Sequence, residues 1–422
     1  MTTSAVRRRA APGSQVFAAL VLASGVAVIL VMTWLVNHQD SEVFTMHFNY
    51  SFKDLFGRVA NLNDLRRTGN IYVPFGYQAF TYPPGAIFFF WPILWVPIQH
   101  LSLVWNFVTL AALAASIYVS LIYLTKVPRL LLAGLACWAA VISAAIFPEL
   151  IEHLMWGQTA TILMLFVLLD MLIIRGPAKG VLIGLAAAIK IYPGLFIIVW
   201  LLRRQWRPAL TALATTAGVT GLAFAIWPTS GRYFVHHIIF GGQEFQKLAG
   251  TANSLKSGSF VAFFQRWPFH YGTISTHEGL LLEAAVMVLA LLAAQRLWRA
   301  GLDFCAVIVV LIAGAIASPV AWDHYFSFAP LLILVALEAR ANTALGRTAI
   351  VATVVSLVPW VIFRTPSITT SWTTTYAFVA RNALLLSTFA VIVVALWRRD
   401  RHRRVGVANH GGLADAASVS SH

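Results

Sequence analysis

The stretch Asn37–Gly85 reads NHQDSEVFTMHFNYSFKDLFGRVANLNDLRRTGNIYVPFGYQAFTYPPG, and it is the first long polar segment of the chain. It holds four of the 15 acidic residues, namely Asp40, Glu42, Asp54 and Asp64. A single apolar run precedes it, and runs of about 20 apolar residues, the length of a helix that spans a membrane, recur after it. The sequence therefore predicts a membrane protein whose first large polar loop carries chemistry.

Composition supports this reading. Hydrophobic residues make up 59% of the 422 positions and charged residues 11%, with a mean hydropathy of +0.77. An ordinary soluble domain has about 25% charged residues. The apolar runs are continuous rather than alternating, so helices and not a barrel satisfy the backbone in lipid. We predict an all-α polytopic membrane protein, a bundle of about 10–12 transmembrane helices with a large first extracytoplasmic loop.

The net charge of +15 indicates orientation in the membrane. Basic clusters flank the apolar runs at Arg7–Arg9, Arg203–Arg207 and Arg398–Arg404. The positive-inside rule assigns such clusters to the cytoplasm, so the charge does not indicate nucleic-acid binding. Cys137 and Cys305 both lie in apolar runs, which argues against a disulfide framework. The first apolar run is longer than the core of a signal peptide, and we interpret it as a retained helix.

These patterns predict the organisation of the chain. Residues 1–15 form a basic cytoplasmic N-terminus, 16–397 a single integral membrane domain, and 398–422 a basic, partly disordered cytoplasmic tail. Residues 37–101 form the first outer loop with interfacial helices, and residues 228–277 form the second outer loop.

Residues 180–202 do not fit a single span. Both ends are basic and are predicted to be cytoplasmic, and the middle reads Lys190-Ile191-Tyr192-Pro193-Gly194. One full span would place Arg203 and Arg204 outside. Two half-helices that meet at Lys190–Gly194 keep both ends inside, so we predict a broken hairpin.

The distribution of acidic residues favours an enzyme. Under this topology nine acids face outside: Asp40, Glu42, Asp54, Asp64, Glu149, Glu152, Glu244, Glu278 and Asp323. No acid lies at the centre of a predicted span, whereas a coupled transporter usually carries ionisable groups at the midplane. A lipid or small-solute transporter is the alternative from a different class, and a noncatalytic scaffold is the third.

Five motifs occur in a fixed order along the chain. They are Asp54-Leu55 with Gly69 and Tyr72, Phe80–Gly85 (FTYPPG), Gly157-Gln158, Lys190-x-Tyr192-Pro193 followed by Arg203-Arg204, and Ser318-Pro319-x-x-Trp322-Asp323-His324. Asn253-Ser254-Leu255 is a sixth, weaker element. Taken together, from residue 16 to about 400, the set resembles glycosyltransferase family 87, which has the polytopic GT-C fold.

The resemblance implies an activity. Enzymes of this family are actinobacterial transferases that use polyprenyl-phosphate sugars, among them α-1,2-mannosyltransferases of phosphatidylinositol mannosides. We therefore expect an inverting transfer of mannose from a polyprenyl-phosphate donor to a phosphatidylinositol mannoside or lipoglycan acceptor, with arabinofuranosyl transfer as the alternative. The expected partners are these two lipids and membrane lipid, without nucleic acid, cofactor or metal. The expected site lies on the extracytoplasmic face of the cell membrane.

The catalytic base has three candidates. Transfer to a hydroxyl needs one carboxylate as general base, and not the carboxylate pair of retaining glycosidases. The family pattern is Asp-Leu-x-Val-Tyr close after the first span. The spacing to Tyr72 favours Asp54, and the letters that follow Asp40 favour Asp40. Asp64 is the third candidate.

The remaining motif residues suggest substrate contacts. Lys190 is costly in an apolar stretch unless it meets an anion such as the donor phosphate or snorkels to an interface. Arg66 is a second candidate for the phosphate. Gln158 opens a helix whose free backbone donors suit a sugar or phosphate. His324 is expected to assist the base or contact the acceptor. Four further candidates for substrate binding are Tyr82, Asn253, Trp322 and Asp323. Tyr82 also directly precedes two prolines, and these fix an extended backbone.

Histidines beside acids raise a weaker possibility. Glu149 and His153 are four positions apart and so share a helix face, and His236-His237 lies in the second loop. Such sets suggest a metal, but each also fits ordinary polar contacts. We predict no metal site.

Overall fold

The computed structural model of this chain describes residues 12–37, 52–72, 80–239, 259–265, 276–318, 321–357 and 371–397. Within these ranges the regular elements are helices, and no strand occurs among them. The predicted all-α membrane fold is thereby confirmed. Asp40, Asn253, the residues before 12 and the predicted tail 398–422 lie outside the described ranges.

The described ranges contain 17 α-helices. In chain order they are α1 Pro12–Asn37, α2 Lys53–Thr68, α3 Ala86–Phe90, α4 Ile98–Leu124, α5 Arg129–Ile146, α6 Pro148–Trp156, α7 Ala160–Leu168, α8 Val181–Ile189, α9 Leu195–Leu202, α10 Trp206–Ile226, α11 Pro228–Tyr233, α12 Phe260–Gln265, α13 Thr276–Arg299, α14 Asp303–Ile316, α15 Leu332–Ala339, α16 Ala344–Leu357 and α17 Ser371–Trp397. A 3-10 turn, Trp91–Trp95, extends α3, and a π turn, Leu169–Ile173, extends α7.

Several of the described helices are shorter than the predicted spans. Five described helices are long and apolar enough to cross a membrane, or six if α6 and α7 count as one broken span. Seven shorter apolar helices supply most of the other predicted spans. Helices α14 and α16, for example, have 14 residues each. An apolar run in sequence does not reveal where a helix stops inside the protein, because interrupted helices are tolerated when the protein buries them.

The segment that carries Glu149 and Glu152, two of the acids predicted to face outside, is a helix. α6 occupies it and is bent by 112° from the helical segment Ala160–Ile173. Gly157 ends α6 in the left-handed region, with φ of 66°. A Cβ built on this glycine would meet Leu55 Cβ at 2.8 Å or less, so glycine permits both the turn and the close approach of α2. The amide of Phe52 donates to Met155 O at 2.6 Å and fixes the start of α2 against α6.

The predicted broken hairpin is confirmed. α8 ends at Ile189, Lys190 is extended, and α9 begins at Leu195 after one 3-10 turn. Lys179 and Arg203, at the two far ends, interact electrostatically with each other and with Asp303. Arg203 Nη2 lies 3.9 Å from Asp303 Oδ1. The basic flanks therefore meet at one end of the bundle, which we call the Asp303 end.

The opposite end carries α2 and α6, and we call it the α2 end. An apolar cluster there joins α2, the FTYPPG segment, α3 and the first turns of α4. Its largest fully buried members include Tyr72, Phe80 and Phe90. The rings of Phe80 and Phe90 lie 6.3 Å apart, edge to face. This packing holds the amphipathic helix α2 firmly on the end of the bundle, since large aromatic side chains bury the most apolar area.

Candidate active site

Asp54 and Gln158 meet at the α2 end, although 104 positions separate them in sequence. Asp54 lies in the first turn of α2, where free amides and the helix dipole favour a carboxylate. Its side chain is 18% exposed. Gln158, at the corner between α6 and α7, donates through Nε2 to Asp54 Oδ2. Trp105 Nε1 donates to the Gln158 carbonyl at 3.2 Å, so the corner is fixed to α4 as well.

Arg58 stands one turn after Asp54 and was not identified from the sequence. Its side chain is 6% exposed, and Nη2 lies 3.8 Å from Asp54 Oδ2. Nη1 donates to Gly157 O at 3.2 Å, and Nη2 donates to Tyr82 Oη at 2.7 Å. The guanidinium also lies 5.0 Å from the centre of the Phe90 ring. Arg58 therefore connects α2, the α6–α7 corner and the FTYPPG segment.

Tyr82 is held in place by the same network. Tyr72 Oη donates to Tyr82 O at 2.7 Å. Burial raises the pKa of Tyr72 well above its usual range, because the ionised phenol would lose its hydration. Tyr72 therefore stays a hydrogen-bond donor at any physiological pH. The FTYPPG segment, whose prolines were expected to fix an extended backbone, also brings the Tyr82 hydroxyl into contact with Arg58.

Lys190 projects from the break in the hairpin toward a group of tyrosines. Its Nζ lies 3.8 Å from the ring centre of Tyr325, 5.8 Å from that of Tyr192 and 6.0 Å from that of Tyr82. The charged groups that face it are Arg58 and Asp54. Two cations and one carboxylate therefore share this region, an arrangement that favours an additional anion.

A cleft opens beside Lys190. The space between its lining residues is about 340 Å³ when the part open to solvent is included, and its enclosed part has room for about one water molecule. Its other lining residues are Ala160, Met164, Tyr192, Leu311, Gly314, Ala315, Tyr325, Ser327 and Phe328. A Cβ on Gly314 would meet the Tyr192 ring at 2.8 Å, so this glycine makes room for the ring. The polar lining residues of the cleft are Lys190, Ser327, Tyr192 and Tyr325, and the others are apolar, so the cleft offers apolar contacts beside a cation.

His324 enters the same end of the bundle on a 3-10 turn, Asp323–Phe326. It is 5% exposed. Its electrostatic neighbours are Lys190, Arg58 and His153. His153, on α6, is fully buried, and its Nε2 lies 3.2 Å from Thr161 Oγ1. His324, which was predicted to assist the reaction, thus lies in the electrostatic neighbourhood of Lys190. His153 is a further neighbour of His324.

The structure does not bring every candidate to this cluster. Arg66 lies on the exposed last turn of α2, roughly 18 Å along the helix from Asp54 at 1.5 Å per residue. Asp64 is bonded to Arg67 Nη2 on the same turn. Trp322 is half-buried and precedes the His324 turn. The side chain of Asp323 lies outside the described part of the structure, as do Asp40 and Asn253. Their assigned roles stay predictions.

A metal site was considered at Glu149 and His153. In the described part of the chain, no three His, Cys, Asp or Glu side chains are grouped as metal ligands. Both residues lie on the buried face of α6. The expectation that no metal takes part stays a prediction.

Three side chains of the cluster were missed as site residues. Arg58 lies four positions after Asp54, and Tyr325 directly follows the Trp-Asp-His motif. Tyr192 had been recognised only as part of a motif around Lys190. The i, i+4 spacing of Asp54 and Arg58 was the available signal, because such a pair shares one face of a helix.

The chain was compared with known proteins. A profile described as glycosyltransferase family 87 matches residues 80–321. A polyprenol-phosphate-mannose-dependent alpha-(1-2)-phosphatidylinositol mannoside mannosyltransferase of Mycobacterium tuberculosis is 33% identical over 63% of this chain, which is 64% of that relative and so just under two thirds of its length. An enzyme with the same name from Mycolicibacterium smegmatis is 28% identical over 75% of each chain.

A third relative differs in its acceptor. It is a polyprenol-phosphate-mannose-dependent alpha-(1-2)-phosphatidylinositol pentamannoside mannosyltransferase of Mycobacterium tuberculosis. It is 27% identical over 87% of this chain and 84% of its own length. The names of the two kinds of relative give the same donor and different acceptors.

Proposed function

Because the chain belongs to glycosyltransferase family 87, we propose that it transfers mannose from a polyprenyl-phosphate donor to a phosphatidylinositol mannoside acceptor in α-1,2 linkage. The observation that carries the proposal is the contact of Asp54 with Gln158 and Arg58, next to Lys190 and its apolar cleft. This places one carboxylate, two cations and an apolar wall within one site. Those are the groups that transfer from a lipid phosphosugar requires.

Asp54 is the proposed general base. The acceptor hydroxyl attacks C1 of the donor mannose while the bond between C1 and the phosphate oxygen breaks. The hydroxyl proton passes to Asp54, and the polyprenyl phosphate leaves with the bonding electron pair, so the configuration at C1 inverts. Gln158 holds the carboxylate by one oxygen. This contact supports a fixed direction of attack, and a general base in such a position contributes about 10²–10⁴-fold to the rate.

Lys190 and Arg58 are the proposed phosphate ligands. Charge builds up on the phosphate oxygens as the bond to C1 breaks, and preorganised cations stabilise that charge in a site of low dielectric. Lys190 lines the cleft together with Met164, Leu311 and Phe328. The first isoprene units of a donor whose phosphate binds Lys190 would therefore contact these three side chains. His324 is the proposed sugar-positioning residue, because it lies beside Lys190.

The site is proposed to face the extracytoplasmic side. The support is the separation of charge along the bundle. The basic flanks of the hairpin, Lys179 and Arg203, lie at the Asp303 end, whereas Asp54 lies at the α2 end. The positive-inside rule assigns the Asp303 end to the cytoplasm. A donor whose lipid is embedded in the outer leaflet would then reach Lys190 from the membrane.

The decisive experiment is sugar transfer in membranes that contain wild type, Asp54→Asn or Asp64→Asn at equal expression, with labelled polyprenyl-phosphate-mannose. We expect Asp54→Asn to lower transfer by about 10²-fold or more, as loss of a general base does. Asp64→Asn is the matched control, because it removes an acid from the same helix that is paired with Arg67. It should retain activity.

Three outcomes would each contradict a part of the proposal. If both variants keep wild-type rates, Asp54 is not the base. If wild type transfers arabinose from polyprenyl-phosphate-arabinose and no mannose, the donor sugar is wrong while the site assignment stands. Movement of intact donor lipid across vesicles without any glycosidic product would instead favour the transporter alternative.

A further inference from the structure

A second group of cations lies away from the proposed catalytic residues. It gathers where the end of α2 meets α11, on the surface at the α2 end. Its members are exposed basic or histidine side chains: Arg66, Arg67, Arg232, His236 and His237. We call this group the α2–α11 patch. None of these residues has a role in the proposed transfer step.

Two hydrogen bonds and one ring stack join the two helices. Ile71 N donates to Ser230 Oγ at 3.0 Å, and Ser230 Oγ donates to Gly69 O at 3.2 Å. The rings of Tyr72 and Tyr233 are stacked with centres 5.4 Å apart. The two helices are therefore fixed to each other, and the patch is a preformed surface rather than a chance meeting of loops.

Aromatic side chains place the patch at the membrane surface. Trp227 directly precedes α11, and its ring lies 5.7 Å from that of Trp91 and 5.5 Å from that of Phe88. Trp95, one 3-10 turn farther, is 75% exposed. Tryptophans gather where lipid headgroups meet the hydrocarbon core. Helix α11 thus begins one residue beyond this level, and it carries Arg232 among the headgroups.

The charge of the patch needs an explanation. Arginines are depleted on the outer side of membrane proteins, yet three lie here. Asp64 contacts one of the three, Arg67, through a side-chain ion pair. Arg66 and Arg232 add positive charge beyond that pair. Cations grouped at headgroup level attract the phosphate of an anionic lipid.

We propose that Arg66 and Arg232 bind the phosphodiester of an anionic phospholipid headgroup, and that this site holds the acceptor while its distal sugar reaches Asp54. The inference rests on the proposed function. Arg66 lies roughly 18 Å along α2 from Asp54, on the same rigid helix. That separation accommodates a chain of several sugars between the phosphate and the reacting hydroxyl. The patch would therefore select an acceptor that already carries sugars.

The test uses the full-length enzyme in phosphatidylcholine nanodiscs and the double variant Arg66→Gln/Arg232→Gln, which leaves the Arg67–Asp64 pair intact. The matched control is Arg204→Gln/Arg207→Gln, which removes two exposed arginines near the Asp303 end. We expect KM for a phosphatidylinositol mannoside to rise about 30-fold in the patch variant. The reason is that each arginine contributes about one charge contact with the lipid phosphate, and the variant loses both. The value of kcat and the KM of the donor should not change.

An uncharged acceptor, an alkyl α-mannoside, separates this role from a general defect. The patch variant should use it as well as wild type does. Added salt should raise the KM of wild type for the anionic acceptor toward that of the variant, because the contact is exposed. Equal KM values for the anionic acceptor in wild type and variant would overturn the proposal, and so would a rise shared by both acceptors or by the donor.

A binding experiment distinguishes failure of the patch from failure of the proposed function. Fluorescent phosphatidylinositol is titrated into detergent-solubilised wild type and patch variant, with phosphatidylcholine and inorganic phosphate as competitors. Tighter binding of phosphatidylinositol to wild type that the variant loses supports the patch even if no sugar is transferred. If inorganic phosphate displaces the fluorescent phosphatidylinositol, the patch is a simple anion site, and the assignment to a lipid headgroup is overturned.

Discussion

Buried carboxylates occur at both ends of the bundle, but their partners differ. At the Asp303 end, Asp170 accepts from Gly180 N at 2.7 Å and from Ile183 N at 2.9 Å, at the start of α8. Glu338 accepts in the same way from Phe304 N at 3.2 Å and Cys305 N at 2.7 Å, at the start of α14. Each carboxylate thus caps the helix of a neighbour.

At the α2 end, the partners of Asp54 that define its position are side chains, Gln158 and Arg58. Main-chain amides cannot move without unwinding a helix, whereas amide and guanidinium groups can rotate. A carboxylate held by main-chain amides serves the fold, and one held by side chains can receive a proton and be restored. The comparison therefore predicts a structural role for the carboxylates held by main-chain amides and a catalytic role for Asp54, and substitutions at matched positions test it.

The largest contrast is expected between two lysines. Lys190→Met should weaken donor binding or transfer by about 10–100-fold, the loss of a charged hydrogen bond to the phosphate. Lys179→Met removes a lysine at the Asp303 end and should leave transfer within about twofold, since surface charge contacts contribute little. Donor titrations at saturating acceptor measure both. Equal effects at the two ends would remove the distinction between them.

The next contrast concerns the two aspartates. Asp170→Asn should lower the free energy of unfolding by about 1–3 kcal/mol, because a buried charged acceptor of two amides is lost. Transfer per folded molecule should stay near wild type, unlike that of Asp54→Asn. Thermal unfolding in detergent and transfer at low temperature provide the two measurements. An Asp170→Asn protein that folds normally but does not transfer sugar would contradict the assignment of roles.

The smallest effect is expected at Tyr72. Tyr72→Phe loses the hydrogen bond to Tyr82 O, which contributes about 1 kcal/mol. Burial raises the pKa of Tyr72 in the folded state, so its contribution is full below about pH 10 and declines as pH rises above that value, where the unfolded chain ionises first.

Unfolding temperatures of wild type and Tyr72→Phe should therefore converge between about pH 9.5 and 11. The difference between the two proteins is the relevant quantity, because lysines titrate in the same interval in both. A difference that stays constant with pH would mean that the pKa of Tyr72 is the same in the folded and unfolded chains, and hence that its hydroxyl is exposed to solvent.

The sequence revealed single residues better than it revealed their contacts. Lys190 and the break after it were predictable, because a lysine and a proline in an apolar run have few stable environments in a membrane. Asp54 and Gln158 were each identified, but nothing in a single sequence joins positions so far apart. Their contact depends on the bend at Gly157, which brings α6 against α2.

Arg58 shows why part of the site was not predictable. An arginine on an amphipathic helix in a polar loop usually faces water, and sequence gives no measure of its burial. Here Tyr82 and Phe90 cover it, and both come from the following segment. The lengths of the helices were not predictable for a related reason, since hydropathy measures how apolar a run is and not where tertiary contacts end its helix.

The broken hairpin has a consequence for how the protein is made. Helices α8 and α9 have 9 and 8 residues, about 12–14 Å each, so neither crosses a hydrocarbon core of about 30 Å. Their stable position depends on later helices. Gly184 packs on α10, and Tyr192 packs against Gly314 of α14. A chain released before α14 is synthesised would contain α8 and α9 and still lack the environment of Lys190, so the lysine site is completed late in biogenesis.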